Sequence, residues 1–113
     1  MKQVTSISIG ELSKMAEKMY GNMVKADVDV VKKIVVLDMG MHSDGENFLL
    51  ETGSKQNDIW GVNLHPGKFG ADEFVEFDSM INLRPSHGNM SKGVDDEKTR
   101  AKILKLVSDV VNE

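Results

Sequence analysis

The sequence has 113 residues, of which 40% are hydrophobic and 28% are charged, and its formal net charge at pH 7 is -4. This length is typical of one domain with its own core, and the composition excludes an intrinsically disordered chain. The absence of cysteine excludes a disulfide framework, a zinc ribbon, an iron–sulfur site and a thiol nucleophile. We therefore predict a single globular domain over residues 1–113.

The first predicted element is a helix over Ile9–Tyr20. Ser8 and Glu11 have the spacing of a capping box, in which each residue satisfies a free backbone N–H group of the other. Gly21 suits the left-handed position that ends a helix. The apolar stripe of the helix consists of Leu12, Met15, Ala16 and Met19.

Four strands are predicted in the next part of the chain. Apolar and charged residues alternate over Val24–Val30, which indicates a half-buried strand. The more apolar segment Ile34–Met39 predicts a second, more central strand. The Asp-Gly pair in Ser43–Glu46 suits a two-residue hairpin loop, so Asn47–Glu51 is predicted to return as the third strand. The fourth strand is predicted over Asp58–Leu64.

The fifth predicted strand, Phe74–Arg84, has the clearest alternation. Pro85 ends it, and the loop Ser86–Gly93 that follows is rich in turn-forming residues. Side chains on the two sides of a strand alternate in sequence. One side carries Val75, Phe77, Ile81 and Leu83, and the other side carries Glu76, Asp78, Asn82 and Arg84.

A second helix ends the chain, with Asp95 or Asp96 as its N-cap. Its buried stripe consists of Ile103, Leu104, Val107, Val110 and Val111. Short connections between strands favour antiparallel neighbours. The predicted fold class is therefore α+β: an antiparallel sheet of about five strands with an N-terminal and a C-terminal helix packed on one face.

The polar side of the fifth strand and the loop after it form the candidate ligand-binding site. Asp78, Asn82, Arg84, His87 and Asn89 together offer carboxylate, amide, guanidinium and imidazole groups. We predict a non-enzymatic module that binds a polar small molecule or a protein partner there, with Asp78 and Arg84 orienting the ligand by charge. Alternatively, these residues form an ordinary solvated face of an antiparallel sheet.

An acid–base enzyme, either a hydrolase or an isomerase acting on a small metabolite, is a second functional hypothesis. Asp78 or His87 would be its base, and Arg84 would stabilise developing charge. A closed cavity around Asp78 would favour this hypothesis, whereas a solvated Asp78 would favour binding.

Two further alternatives follow from other parts of the sequence. Asp38, Asp44 and Glu46 could form a weak divalent-cation site, although the spaced acidic loop of an EF-hand is absent. An uncovered strand edge at Val24–Val30 could pair with a second copy, which would give a weak homodimer instead of a monomer.

The remaining signals leave the cofactor unknown and predict no metal ligand. Gly88 and Gly93 have the glycine spacing of a phosphate loop, but Val94 and Asp95 follow where a lysine and a hydroxyl residue are required. The three histidines are too far apart in sequence to predict a metal site. The scattered basic residues and the acidic net charge disfavour nucleic acid as a partner. No apolar run suggests a signal peptide or a membrane helix, so we expect a cytoplasmic protein.

Two segments resemble a small prokaryotic family of conserved hypothetical proteins that is classed as a domain of unknown function. They are residues 53–64, with the sequence GSKQNDIWGVNL, and residues 78–94, which begin DSMINLRP and continue through GNMSKGV. The resemblance covers nearly the whole chain. It implies a single-domain protein and carries no catalytic or binding residue onto this sequence.

Overall fold

The computed structural model describes residues 1–113 and contains three α-helices and seven strands, joined by loops and single 3₁₀ turns. This architecture confirms the predicted α+β class. The helices are α1 (Ile9–Met19), α2 (His42–Glu51) and α3 (Glu97–Val110). The strands are β1 (Lys2–Val4), β2 (Ile7–Ser8), β3 (Val24–Asp29), β4 (Ile34–Leu37), β5 (Ile59–Leu64), β6 (Val75–Glu76) and β7 (Val111–Asn112).

Five strands form one antiparallel sheet in the order β1-β4-β3-β5-β6. β3 lies at the centre, where Asp27 is opposite Val36 on β4 and Gly61 on β5. The prediction of an uncovered edge at Val24–Val30 is therefore wrong, because both edges of β3 are paired. The predicted number of strands is confirmed, although the N-terminal β1 is one of the five.

The helices α1 and α3 contribute to a single apolar core on one face of the sheet. Both predicted helix caps are present: Glu11 N–H donates to Ser8 Oγ at 3.1 Å, and Thr99 N–H donates to Asp96 Oδ2 at 2.9 Å. The two short strands β2 and β7 pair in parallel, which brings the two ends of the chain together. None of the three helices combines the length and the apolar character needed to span a bilayer.

The opposite face of the sheet is covered by α2, so the hairpin and third strand predicted between Ser43 and Glu51 are wrong. Leu49 of α2 packs with Val36, Met39 and Ile59 in a second, smaller core. The residues of α2 that are buried against the sheet, His42, Gly45 and Leu49, have helical spacing, but only one of them is hydrophobic.

The fifth predicted strand is also wrong beyond Glu76. Only Val75 and Glu76 pair with β5, and a 3₁₀ turn at Met80–Asn82 follows an irregular stretch. Ser79 begins this turn, because its Oγ accepts a hydrogen bond from Ile81 N–H at 3.3 Å. The alternation of side chains therefore breaks at the middle of the segment, and the predicted polar face does not exist as a continuous surface.

Candidate functional site

A polar cavity of about 430 Å³ opens at the first turn of α2, and we call it the α2 cavity. Four separate parts of the chain form it: β3, the loop into α2, the segment around the 3₁₀ turn at 80–82, and the loop before α3. Its volume is within the usual range for small-molecule sites. The lining residues are Lys25, Gly40, Met41, His42, Ser43, Asp78, Ser79, Met80, Ile81 and Lys92.

The first turn of α2 lacks a side-chain cap. Met41 is the N-cap residue, with an extended backbone at φ -136° and ψ 142°, and its thioether side chain makes no capping hydrogen bond. The first N–H groups of an α-helix lack the usual partner four residues earlier, and the helix dipole places partial positive charge there. Asp44 N–H donates to Met41 O at 3.0 Å, and Asp44 lines a different cavity. The N–H groups of His42 and Ser43, which line the α2 cavity, make no hydrogen bond within the protein, so a ligand can use them.

Lysines on two sides add positive charge to the α2 cavity. Lys25 comes from β3, and its Nζ lies 5.2 Å from the centre of the Tyr20 ring. Lys92 comes from the loop before α3, and its Nζ lies 3.9 Å from Asp78 Oδ1. Two lysines against one carboxylate leave one net positive charge among these residues, in a chain whose overall charge is negative.

His42 is held as a neutral imidazole in the wall of the α2 cavity. It is 7% exposed, and its Nε2 lies 2.9 Å from the backbone oxygen of Val62. Because a carbonyl oxygen can only accept, Nε2 carries the proton and donates. Burial lowers the pKa of His42, and nearby Lys25 lowers it further, while the Val62 carbonyl and Asp78 oppose the shift.

Glycine allows close packing beneath α2 at two positions. A Cβ on Gly45 would overlap the Asp27 carboxylate and lie 2.7 Å from Met39 Sδ. A Cβ on Gly61 would lie 2.7 Å from Ser79 Oγ and 3.0 Å from the His42 ring. Real Cβ atoms do not approach their neighbours so closely. Glycine at positions 45 and 61 is therefore what allows α2 and the 80–82 turn to pack directly on the sheet.

Three ionisable side chains, Asp27, Glu46 and Arg84, lie at the interface between α2 and the sheet, and we call them the buried charge cluster. Asp27 is 0% exposed, and neither of its oxygens has a hydrogen-bond partner within the protein. Burial raises the pKa of Asp27 to about 8, and the Glu46 carboxylate adds to the increase. The nearby Glu46 backbone N–H, which does not meet the geometry of a hydrogen bond, and Lys25 oppose it. Asp27 is therefore mostly protonated at neutral pH.

Arg84 connects this cluster to the edge of the sheet. Its Nη2 donates to the backbone oxygen of Ile59 at 2.5 Å and lies 3.7 Å from Glu46 Oε2, and its guanidinium lies over the Trp60 ring at 4.8 Å. Burial lowers the pKa of Arg84, and Glu46 opposes that effect. Arg84 Nε and Nη1 are buried without partners. The side chain is therefore fixed inside the protein and does not face the α2 cavity.

The other sequence-predicted site residues are distributed between structural roles and the surface. Asn82 is 0% exposed and bonds to both the N–H and the C=O of Gly61 at 2.9 Å. Asn89 donates to Asn82 O at 2.8 Å and accepts from Asp95 N–H at 2.8 Å, so it organises the loop before α3. His87 is exposed at the end of a 3₁₀ turn. Of the five predicted residues, only Asp78 lines the α2 cavity.

The predicted cation site is not assembled. Asp38 and Asp44 line a surface cavity with Glu51, whereas Glu46 is turned toward Asp27 and Arg84. The structure brings together no group of three His, Cys, Asp or Glu side chains that could hold a metal ion.

A separate groove of about 490 Å³ lies between α3 and the segment 69–77. Three of the four phenylalanines line it, and Phe69 and Phe74 meet edge to face with ring centres 5.2 Å apart. Its only polar side chains are Asp72 and Ser108. The groove therefore does not provide the polar binding surface that the sequence predicts.

Sequence reasoning missed Lys25, Asp27 and His42. The alternation in β3 predicts that Lys25 and Asp27 face solvent, but α2 covers that face, and Asp27 is fully buried. No second histidine is near His42 in sequence, so ligand spacing gives no signal for it. The one available signal was the helical spacing of His42, Gly45 and Leu49, which hydrophobicity alone does not detect.

Comparison with known proteins gives one family match. A family model described as "Protein of unknown function (DUF5674)" matches residues 3–110, which include every residue of the α2 cavity and of the buried charge cluster. The search of curated proteins and the search of solved structures found no match. The match spans nearly the whole chain, as the resemblance predicted, and the chain therefore belongs to the DUF5674 family, whose function is unknown.

Proposed function

We propose that this protein is a non-enzymatic module that binds a small anionic ligand, such as a molecule with a phosphate or carboxylate group, in the α2 cavity. The observation that carries the proposal is the 430 Å³ cavity in which Lys25 and Lys92 flank the uncapped first turn of α2. Backbone N–H groups at a helix start and lysine ammonium groups both bind oxyanions. The proposal includes a cytoplasmic site of action, where phosphorylated and carboxylated metabolites occur.

The remaining groups of the cavity suit a polar ligand. Ser43 and Ser79 have hydroxyl groups that can donate or accept, and Asp78 can accept from a hydroxyl or an amine of the ligand. Neutral His42 adds no positive charge, so the attraction of an anion depends on the lysines and the helix dipole. Hydrogen bonds that involve a charged group contribute about 1.5–3 kcal/mol each before the cost of ordering the ligand. A bare oxyanion is therefore expected to bind with a Kd on the order of 1 mM.

Binding fits the geometry better than acid–base catalysis does. Asp78, the predicted base, has a side chain that is 54% exposed and lies near Lys92. A carboxylate in that environment lacks the closed surroundings that make a general base effective near neutral pH. His87, the other predicted base, does not line the α2 cavity. The perturbed carboxyl group, Asp27, is 0% exposed and lines none of the cavities described above.

The test is a two-dimensional amide NMR titration with sulfate and with inorganic phosphate into the millimolar range. We expect saturable shifts at Met41–Ser43, Lys25 and Lys92. Replacing Lys25 or Lys92 by Gln should weaken sulfate binding about five- to tenfold, which corresponds to about 1–1.4 kcal/mol. Lys98→Gln is the matched control, since it removes the same charge from an exposed position outside the cavity. Equal weakening by all three variants would show that the anion responds only to net charge, and absence of localised shifts would reject the site.

A further inference from the structure

Asp27 lies at the middle of the interface between the sheet and α2. On β3 it is flanked by Val36 of β4 and Gly61 of β5, and Gly45 of α2 lies directly above its carboxylate. Both carboxylate oxygens are buried without a hydrogen-bond partner. A neutral carboxyl group tolerates this environment far better than an ionised one, because burying an unpaired charge is very costly.

The charges that face Asp27 do not favour its ionisation. From α2 come two carboxylates, Glu46 and, with a smaller effect, Asp44, and both oppose ionisation of Asp27, while the Glu46 backbone N–H favours it. From β3 itself comes Lys25, which favours ionisation, while the flanking positions on β4 and β5 are Val36 and Gly61 and carry no charge. Arg84 reaches the cluster from the loop after β6, but its contact is with Glu46, at 3.7 Å.

The residues of α2 that line the α2 cavity lie next to those that pack on Asp27. Met41, His42 and Ser43 form its wall, and Gly45 and Glu46 rest on Asp27 less than one helical turn farther along. A helix segment this short moves as a unit, so a shift of Gly45 away from the sheet also shifts the backbone N–H groups that border the cavity.

We propose that the protonation state of Asp27 controls how closely α2 packs on the sheet. Loss of the Asp27 proton then displaces the first turn of α2 and weakens anion binding in the α2 cavity. The effect on anion binding rests on the proposed function, whereas the effect on the position of α2 does not. With Asp27 protonated, α2 packs directly on an uncharged group. With Asp27 ionised, two carboxylates face each other in a buried space, and water can reach them only if α2 moves outward.

The conformational change should occur in mildly alkaline solution, because the pKa of Asp27 is raised to about 8. Anion binding and protonation of Asp27 affect each other reciprocally. An anion that binds only when α2 is packed on the sheet should therefore raise the pKa of Asp27. His42 is already neutral in this range, since burial lowers its pKa, so it does not titrate together with Asp27.

The test has two readouts on one sample. Carboxyl ¹³C NMR should show Asp27 titrating near pH 8, and the backbone amides of Ser43–Leu49 should shift with the same midpoint. Sulfate, whose charge is constant over this range, should bind about five- to tenfold more weakly at pH 9.5 than at pH 7. In Asp27→Asn, both the amide shifts and the loss of sulfate affinity should disappear. In Glu46→Gln, the midpoint of the amide shifts should move to lower pH because the repelling carboxylate is gone.

Asp44→Asn is the matched control, because Asp44 is exposed and raises the pKa of Asp27 less than Glu46 does, so the transition should remain and its midpoint should move less than in Glu46→Gln. Titration of Asp27 below pH 5, or amide shifts that persist in Asp27→Asn, would overturn the inference. If sulfate binds at no pH, the proposed function fails, but the carboxyl and amide titrations still decide whether Asp27 controls α2. If sulfate binds equally well at pH 7 and pH 9.5, anion binding stands and its control by Asp27 is rejected.

Discussion

The carboxamide of Asn82 completes the edge of β5 where no neighbouring strand reaches it. β6 pairs with β5 only at Asn63 and Leu64, so the edge at Gly61 would otherwise be open. Asn82 Oδ1 accepts from Gly61 N–H, and Asn82 Nδ2 donates to Gly61 O and to Lys92 O, all at 2.9 Å. One side chain thus supplies the donor and the acceptor that the peptide groups of another strand would provide.

Replacing Asn82 by Ala should destabilise the protein by about 3 kcal/mol, because it leaves the buried N–H and C=O of Gly61 without partners, whereas Lys92 O still accepts from Ser79 N–H. Urea unfolding followed by Trp60 fluorescence measures the change. Asn57→Ala is the control, since Asn57 is exposed and makes no side-chain hydrogen bond with the rest of the protein, and it should change the free energy of unfolding by less than about 0.5 kcal/mol. If Asn82→Ala changed the free energy of unfolding only slightly and weakened ligand binding, Asn82 would be a binding residue, as the sequence predicts.

A Gly45→Ala change tests how closely α2 packs on Asp27. Alanine favours a helix over glycine by about 1 kcal/mol, yet the new methyl group would overlap Asp27 and the Met39 thioether. We expect a net loss of about 1–3 kcal/mol in the free energy of unfolding, which is the usual cost of overpacking a core.

Gly10→Ala in α1 is the matched control, because its Cβ would have one ordinary contact, 3.9 Å from Ser8 Oγ. It should leave stability unchanged or increase it by up to about 1 kcal/mol. A stabilising Gly45→Ala would mean that α2 and Asp27 are not in close contact.

Among single residues, the sequence predicted the N-caps of α1 and α3, but not the structural roles of Asn82, Arg84 and Asn89. These three are polar residues whose partners are backbone groups far away in sequence or on other elements. Residue type shows that such a side chain needs hydrogen bonds. It does not show whether a ligand or the protein itself supplies them.

At the scale of elements, the sequence predicted α1, α3, β3, β4 and β5 and missed α2. Hydrophobic periodicity identifies a helix by its apolar stripe, but α2 faces a sheet surface that carries Asp27, Gly61 and Asn63. A helix on such a surface needs a glycine and polar groups where a core helix has leucine. The Asp44-Gly45 pair therefore has the sequence of a turn. In the structure Gly45 lies inside α2, where the absence of a side chain lets the helix pack on Asp27.

The missing cap of α2 allows a prediction that links stability to binding. Met41 already has the extended backbone of an N-cap residue, so Met41→Asp should cap the free N–H groups and stabilise the protein by about 0.5–1.5 kcal/mol. The same carboxylate should compete with an external anion and reduce sulfate affinity by about tenfold or more. Thermal unfolding and the amide titration measure the two effects.

Met80→Asp is the control. Met80 is exposed and lines the same cavity, so this substitution adds the same charge without capping α2. It should weaken sulfate binding less and should not stabilise the protein. If Met41→Asp stabilises the protein without affecting sulfate, the anion does not use the first turn of α2.

At the scale of the whole molecule, the two faces of the sheet are stabilised differently. The face under α1 and α3 has a continuous apolar core, which alternation in the sequence predicts correctly. The face under α2 has a small apolar core beside the buried charge cluster. The stability of the first face should depend little on pH, whereas that of the second depends on the protonation of Asp27.

This difference gives a signed pH dependence for the free energy of unfolding. The pKa of Asp27 is about 8 in the folded protein and 3.8 for an ordinary Asp, so between these values the folded state holds a proton that the unfolded state has lost. Stability from this group is therefore fully present below about pH 4 and is lost as pH rises through 8. His42 acts in the opposite direction, because its lowered pKa makes the unfolded state bind more protons, but above pH 6.5 at most about 0.4 kcal/mol of this effect remains.

The pH dependence of stability between pH 6.5 and 8 is therefore dominated by Asp27. Over this range we expect the free energy of unfolding to fall by about 1.5 kcal/mol in the wild-type protein, since each pH unit of differential protonation corresponds to about 1.4 kcal/mol. Urea unfolding at several pH values should show this decrease in the wild-type protein and in Asp44→Asn, and a nearly constant value in Asp27→Asn. A decrease of the same size in Asp27→Asn would assign it to another group, and a constant wild-type value would mean that Asp27 is ionised or hydrated in the folded state.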